Sequence, residues 1–230
     1  MLLQHSVFHE SLFPAGMNAA ANSADNENQD FVLRRHFHFN LPLSSKLHDT
    51  PLVIFDTETT GLDSELDRII EFGAIKVVGG VVLDSFESFV QTDIELPEHI
   101  VSLTGITQSM LEGQPDISTV LPKFLDFIKG SIIVAHNAEF DMGMLKASAN
   151  RLGFELTWPC FCTVKLARRV LPGLPNYKLG TLTEHFGLTN DASHRAVGDV
   201  NVLSKILQEI LGNEDVEVNT WGDVADCVIS

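Results

Sequence analysis

Basic side chains are scarce in this sequence. Its 230 residues include 15 Lys and Arg against 31 Asp and Glu, which leaves a net charge of −16. Such a shortage of positive charge argues against a protein that holds nucleic acid through a broad basic surface. It still allows an enzyme that contacts a few phosphates locally and offsets its own carboxylates with metal ions.

Cysteines and long apolar runs are also few. Three cysteines make no disulfide framework and suit a reducing compartment, so we expect a cytoplasmic protein. Cys160 and Cys162 lack a second Cys or His pair at a spacing that would complete a zinc site. No stretch approaches the roughly 18 apolar residues of a membrane span, and the first residues lack the pattern of a signal peptide. We therefore expect no contact with a membrane.

The composition divides the chain into three regions. Residues 1–50 form an N-terminal extension, of which 18–30 are polar and predicted to be disordered. The aromatic side chains of 31–43 could dock on the neighbouring domain as a strand or short helix. Residues 51–212 form the predicted organised domain. Residues 213–230 form an acidic C-terminal tail without Lys or Arg, in which Trp221 is a candidate anchor.

Apolar periodicity predicts a mixed sheet covered by helices in the organised domain. Strands are expected over 52–58, 68–78 and 81–90, the last two joined as a hairpin by Gly79-Gly80. The apolar run 131–135 is typical of a strand buried on both faces. Asp116 is a good N-cap for a helix that ends near Gly130. Further helices are predicted near 97–105, 138–152, 164–170, 178–186 and 195–211.

Two acidic residues end the first strand. Asp56 and Glu58 are one residue apart, so both side chains project from the same face of an extended chain. Acids are ordinary where a strand end reaches solvent, but here Val53, Ile54 and Phe55 precede them directly. Two carboxylates on one face repel unless one is protonated or a cation bridges them. Oxygen ligands favour hard ions such as Mg²⁺ or Mn²⁺.

Two more aspartates lie near helix starts. Asp141 falls in the first turn after a buried strand, where open α/β sheets place their sites, although the helix dipole alone also favours an acid there. Asp199 lies among the core residues Val197 and Val200, where an unpaired charge is costly. His194, five residues earlier, cannot share the helix face of Asp199 and is expected in the preceding loop. A structural or solvated histidine is the alternative.

Together, three motifs resemble those of the DEDDh family of 3′–5′ exonucleases, in particular its proofreading branch, the epsilon subunits of bacterial DNA polymerase III. The motifs are DxE at 56–58, HNxxFD at 136–141 and HxxxxD at 194–199. TTGL at 59–62, LTGIT at 103–107 and the stretch 166–188 also match. The resemblance covers about 51–211 and implies that 51–212 is an exonuclease domain. The implied fold is a ribonuclease-H-like α/β fold with a mixed five-stranded sheet flanked by helices.

The resemblance also implies roles for individual residues. Asp56, Glu58, Asp141 and Asp199 would bind two divalent cations, Mg²⁺ or Mn²⁺, and Asp56 would bridge them. His194 would be the general base, since a histidine can accept a proton from water near neutral pH. Substrate-binding residues implied in the same way are Thr59, Thr60, Gly61, Leu62, Leu103, Thr104, Ile106, His136, Asn137 and Phe140.

Substrate and partners stay open at this point. The resemblance implies hydrolysis of single-stranded nucleic acid from its 3′ end to nucleoside monophosphates, with DNA favoured over RNA. An exoribonuclease that acts on RNA ends or short oligoribonucleotides is the alternative, and a catalytically silent scaffold would have no reason to retain the five clustered residues. A DNA polymerase catalytic subunit is a candidate partner, bound through the tail, through the extension, or not at all. A basic group could track phosphates or form a solvated helix face: Lys165, Arg168, Arg169 and Lys178.

Overall fold

A computed structural model describes residues 42–190 and 193–229, together with the backbone of 35 and 36. The predicted disorder of 18–30 lies outside the described residues. Within them, no helix is both long and apolar enough to cross a membrane. The strands are β1 Arg35–His36, β2 Leu52–Thr59, β3 Ile69–Val78, β4 Val81–Phe89, β5 Ile132–Ala135, β6 Leu156–Thr157, β7 Cys160–Cys162 and β8 Val228–Ile229.

Six of the seven α-helices in the described part of the chain lie at predicted positions, while α2 falls where only a turn was expected. Asp116 caps its helix as expected, because its carboxylate accepts a hydrogen bond from the Thr119 amide at 2.9 Å. The α-helices are α1 Glu98–Thr104, α2 Gln108–Leu111, α3 Ile117–Phe127, α4 Ala138–Arg151, α5 Thr163–Val170, α6 Leu179–His185 and α7 Ala196–Gly212. A 3₁₀ helix, Trp221–Cys227, lies in the acidic tail.

The main sheet has six strands in the order β4-β3-β2-β5-β7-β8, one more than expected. Strands β2, β5 and β7 run parallel, while β3 pairs antiparallel with β2 and β4. Two of these strands, β7 and β8, were not placed from the sequence, and β8 pairs antiparallel with β7 through Val228 and Ile229. Two residues at the end of an acidic segment are too short a run for alternation to be recognised. A separate small sheet pairs β1 with β6 in parallel.

Alternation along β2 gives each face of the sheet its own core. Val53 and Phe55 are buried against α3 and α4 on one face. Leu52 and Ile54 are buried on the other face, together with residues of α5, α6, α7 and the tail. Both faces of β2 are therefore covered, which explains why its sequence reads as a continuous apolar run until Asp56. The polar end of β2 lies between the two layers of helices.

Residues 213–229 are packed on the second of these cores. Trp221 is buried, its ring contacts Phe161 edge-on at 5.8 Å, and its indole N–H donates to the Thr50 hydroxyl at 3.0 Å. Val218 and Val224 are buried beside it. The tail is acidic on its exposed side and apolar on its inner side. Domain boundaries at 50 and 212 stay predictions.

Candidate active site

Three carboxylates meet where β2 leaves the core. Asp56 and Glu58 project from β2 towards α7, and Asp199 lies in the first turn of α7. Each contributes a carboxylate oxygen, and these oxygens all lie within 4.8 Å of one another. All three residues are half-buried. The arrangement brings side chains from distant parts of the sequence to one edge of the sheet.

Asp141 joins the site from the other helical layer. It is buried in the first turn of α4, and its Oδ1 accepts hydrogen bonds from the Thr57 amide at 3.1 Å and the Thr57 hydroxyl at 2.8 Å. Thr57 lies between Asp56 and Glu58, so these bonds fix the start of α4 against the same strand end. Asp141 stands slightly apart from the compact set of three carboxylates.

The protein environment disfavours the charged forms of these acids. Burial, followed by repulsion from Asp141 and Glu58, raises the pKa of Asp56 well above its ordinary value. Burial and the neighbouring Asp199 raise the pKa of Glu58 to about 8. Burial also raises the pKa of Asp141 to about 7, although its hydrogen bonds from Thr57 oppose the change.

The set of donors fits a hard divalent cation. Every donor is a carboxylate oxygen, which is the ligand type that Mg²⁺ and Mn²⁺ bind. Burial, followed by repulsion between the carboxylates, raises the pKa values of Asp56 and Glu58, and a bound cation would favour their charged forms. The cluster of Asp56, Glu58 and Asp199 is therefore suited to metal binding.

The raised pKa of Glu58 predicts how stability depends on pH without metal. Because the folded state holds this proton more tightly than the unfolded chain, its contribution to stability is complete below pH 4.5, the ordinary pKa, and is lost as pH rises through about 8. In EDTA, we expect the melting temperature of the wild type to fall relative to that of Glu58→Gln between pH 5 and pH 9. The relative fall should be at least about 3 °C, since 1 kcal/mol corresponds to roughly 2–4 °C at this size.

The Glu58→Gln variant is the control for the wild type, because every other titrating group is common to both proteins. Adding Mn²⁺ at pH 8.5 should raise the melting temperature of the wild type more than that of the variant. Parallel melting curves across the pH range would show that Glu58 ionises normally in the folded protein.

His194 lies in the turn before α7, as expected from the helix geometry. Its side chain is exposed, and its backbone has a φ of 60°, in the left-handed region. The loop it belongs to is tied to the acidic cluster, because the Asn190 side-chain amide donates to Asp199 Oδ1 at 2.6 Å. This position leaves the imidazole accessible to a bound substrate or water.

The TTGL segment after the acidic pair makes a tight turn. The Thr59 hydroxyl donates to the Gly61 carbonyl at 2.6 Å, and the Thr60 hydroxyl donates to Asp67 at 2.8 Å. A Cβ on Gly61 would collide with the Asp67 carboxylate. The threonines thus shape the turn from inside, while Leu62 is 85% exposed. Leu62 therefore has a free apolar surface that a nucleotide could contact, and contacts from Thr59, Thr60 and Gly61 stay predictions.

The other predicted substrate-binding residues divide into exposed and buried ones. Leu103 is 51% exposed on α1, whereas Thr104 and Ile106 are buried, with the Thr104 hydroxyl accepting from the Ile106 amide at 3.0 Å. Only Leu103 of these three has a free apolar surface. Thr104 and Ile106 hold the α1 turn that presents it.

His136 and Phe140 of the HNxxFD segment make contacts within the protein. His136 contacts the Thr163 hydroxyl through Nδ1 and the Tyr177 carbonyl through Nε2, both at 2.9 Å. Burial lowers its pKa to about 4, so the ring is neutral at physiological pH. Asn137 is exposed at the start of α4 in a left-handed conformation, and Phe140 is half-buried against the core. A direct substrate contact from these residues stays a prediction.

Sequence reasoning missed a pair of charged residues beside the cluster. Glu71 on β3 lies directly opposite Glu58 in the antiparallel register, and its carboxylate pairs with Arg195. The available signal was an acid inside the apolar strand IIEFGAIKVV, since a buried charge requires a partner. Leu66, 70% exposed in the loop after β2, is a second apolar side chain that the motifs did not indicate.

Comparisons with known proteins agree with this geometry. A family model described as exonuclease, RNase_T, matches residues 53–207. The chain is 39% identical over 173 residues to the DNA polymerase III subunit epsilon of Aquifex aeolicus, with 75% of this chain and 86% of that protein covered. It is 44% identical over 160 residues to the PolC-type DNA polymerase III of Clostridium perfringens, covering 70% of this chain but only 11% of the polymerase.

A solved structure extends the comparison to the fold. The nuclease domain of 3′hExo, a DEDDh family member bound to rAMP, superposes with a TM-score of 0.67 at 21% identity, over 76% of this chain and 98% of that one. The likeness shows that the mixed sheet and its helices have the DEDDh exonuclease architecture, as predicted.

Proposed function

Because the chain belongs to the exonuclease family, we propose that it removes nucleotides one at a time from the 3′ ends of single-stranded DNA. The observation that carries the proposal is the set of three carboxylates within 4.8 Å of one another, with an exposed histidine preceding the helix of the third. The proposed products are nucleoside 5′-monophosphates. Proofreading during DNA synthesis is the proposed role.

The proposed mechanism assigns a task to each charged group. Asp56, Glu58 and Asp199, with Asp141 beside them, would hold two divalent cations, Mg²⁺ or Mn²⁺. Such ions stabilise negative charge at phosphorus and on the departing 3′-oxygen when they are bound. The exposed His194 accepts a proton from the attacking water. Thr57 keeps Asp141 in place through its two hydrogen bonds, and Asn190 does the same for Asp199.

The proposed grip on the substrate is apolar and independent of sequence. Leu62 and Leu103 are large side chains with more than half of their surface exposed. Bases have apolar faces against which such side chains can pack without reading sequence. The basic group of Lys165, Arg168, Arg169 and Lys178 contributes less to substrate binding. Within it, Arg169 already donates to the Asp223 carbonyl, and to the Asp226 carboxylate at 3.1 Å.

DNA is the favoured substrate, and RNA is the second candidate. The two relatives above are named as parts of DNA polymerases, which supports DNA. The structural neighbour 3′hExo is bound to rAMP, a ribonucleotide, which is the reason to keep RNA as a candidate. A site that accepts DNA alone must exclude the 2′-hydroxyl of the terminal nucleotide.

A paired assay distinguishes these candidates. DNA and RNA strands of equal sequence and equal 5′ label are incubated with the enzyme in Mg²⁺, in Mn²⁺ and in EDTA. We expect a ladder that shortens from the 3′ end on DNA, absent in EDTA, with RNA degraded at least about tenfold more slowly. Faster degradation of RNA would move the assignment to an exoribonuclease. No degradation of either strand in any metal would support a scaffold.

A polymerase partner would bind outside the active site. The chain spans only 11% of the length of two PolC-type relatives, so the activity of those whole proteins is not assigned to it. Residues 213–229 are packed against the sheet through Trp221, Val224 and β8. We propose that a polymerase, if one is bound, contacts the exposed acidic side of this packed tail rather than an extended tether.

A further inference from the structure

An ion pair beside the acidic cluster has no task in the mechanism above. The Glu71 side chain is 1% exposed, and that of Arg195 is 33% exposed. Arg195 donates to the Glu71 carboxylate through Nη2 at 2.7 Å and through Nε at 3.1 and 3.2 Å, and the Ala196 amide donates to it at 3.0 Å. One buried carboxylate thus binds the last residue before α7 and the first residue within it.

The surroundings of this ion pair are electrostatically unfavourable for Glu71. Glu71 adds negative charge next to three carboxylates that already repel, and it raises the pKa of Glu58 and Asp56. Replacing a buried ion pair by apolar side chains is often neutral or stabilising. General stability therefore does not explain why a glutamate occupies this position on β3.

Geometry supplies the explanation. His194 directly precedes Arg195 and adopts a left-handed backbone, a conformation that strains a non-glycine residue and persists only where the surroundings impose it. The Arg195 guanidinium is further held over the Phe89 ring at 5.2 Å. Strand β3 approaches α7 closely here, since a Cβ on Gly73 would lie 2.5 Å from the Ala196 carbonyl carbon. Strand β3 therefore determines where α7 begins.

We infer that Glu71 and Arg195 are positioning residues: their ion pair fixes the start of α7 and thereby places His194 over the carboxylate cluster. The inference rests on the proposed function, because it assigns His194 the role of base. A displacement of about 1 Å in a reacting group can lower a rate about 100-fold. Asp199, in the first turn of α7, is also held by the Asn190 amide at 2.6 Å. Loss of the ion pair should therefore act mainly on His194 and the chemical step, and leave the cluster able to bind a cation.

A double-mutant cycle tests this inference. Arg195→Lys and Glu71→Gln are each made in the wild type and in His194→Ala, and kcat and KM are measured on single-stranded DNA. In the wild type we expect kcat to fall about 10- to 100-fold with KM changed less than about threefold. In the His194→Ala background the same substitutions should lower kcat less than about threefold. The rise in melting temperature with Mn²⁺ should persist in every variant.

Two further variants keep the outcome decisive. Phe89→Leu removes the ring under the guanidinium but keeps an apolar side chain to pack against the neighbouring core. It should lower kcat less than the ion-pair variants do, with the same dependence on His194, and it tests the inference if those variants do not fold. Lys129→Ala breaks an exposed ion pair with Asp126 and should leave kcat unchanged. Equal losses with and without His194 would overturn the inference, since the pair would then act independently of the base. A wild-type enzyme inactive on every 3′ end would instead overturn the proposed function.

Discussion

Asp56→Asn is expected to lower the exonuclease rate at least about 1,000-fold. Divalent ions supply several kcal/mol of charge stabilisation in phosphodiester hydrolysis, and about 4 kcal/mol corresponds to three orders of magnitude in rate. Burial opposes the ionised form of Asp56, and so do four neighbouring carboxylates: Asp141, Glu58, Asp199 and Glu71. Asparagine has the same shape but cannot supply the charge that attracts a cation.

The same substitution should stabilise the protein when metal is absent. Without Asp56, the remaining carboxylates lose their most central like-charged neighbour, so the melting temperature in EDTA should rise at pH 8. The rise in melting temperature on adding Mn²⁺ should be smaller than in the wild type, because stabilisation by a ligand depends on its affinity for the folded state.

Single-turnover assays measure the effect of Asp56→Asn on rate, and thermal melts measure its effect on stability. Asp84→Asn, an exposed strand aspartate on β4, is the matched control and should change neither quantity. Retained activity in Asp56→Asn would remove Asp56 from the site.

His194→Ala is expected to lower the rate about 100- to 10,000-fold, the range for loss of a general base. Unlike Asp56→Asn, it should leave the cation cluster intact, because His194 is exposed and lies outside the set of three carboxylates. The rise in melting temperature with Mn²⁺ should therefore match that of the wild type.

Rate and metal binding are measured together for this variant. His185→Ala, at the exposed end of α6, is the matched histidine control and should keep full activity. If calorimetry showed that His194→Ala had lost its affinity for Mn²⁺, His194 would be a ligand or a structural residue rather than the base.

Strand and helix positions could be predicted because local patterns determine them. The hairpin β3–β4 follows from Gly79 and Gly80, both with positive φ, between two apolar runs. Strand β5 follows from a short run buried on both faces, and α3 from its Asp116 cap. Each of these signals lies within a few residues of the element it predicts.

The sixth strand and the role of the tail depend on distant contacts. Strand β8 has only two residues, and its partner β7 lies almost seventy positions earlier in the sequence. Trp221 was a candidate anchor from the sequence, but its partners Phe161 and Thr50 lie far from it in the chain and could not be identified. Composition describes the exposed side of such a segment and not the side that packs.

In the site, too, residues within local motifs could be named from the sequence, whereas contacts between distant residues could not. Through their resemblance to a known family, the motifs implied that Asp56, Glu58 and Asp199 share one site, and the structure brings their carboxylate oxygens within 4.8 Å of one another. They did not reveal the bond from Thr57 to Asp141 or the pair of Glu71 and Arg195, whose partners are 84 and 124 residues apart. Their pairing is a property of the folded chain.

The most direct test of the exonuclease assignment is to identify the first labelled product released from a DNA strand. The label is placed in the phosphodiester nearest the 3′ end. The enzyme is mixed with this single-stranded DNA and Mg²⁺, and products are separated at the earliest times. A labelled nucleoside 5′-monophosphate should appear first, and neither EDTA nor Asp56→Asn should yield any. A labelled oligonucleotide as the first product, or the mononucleotide formed equally well in EDTA, would contradict a metal-dependent 3′–5′ exonuclease.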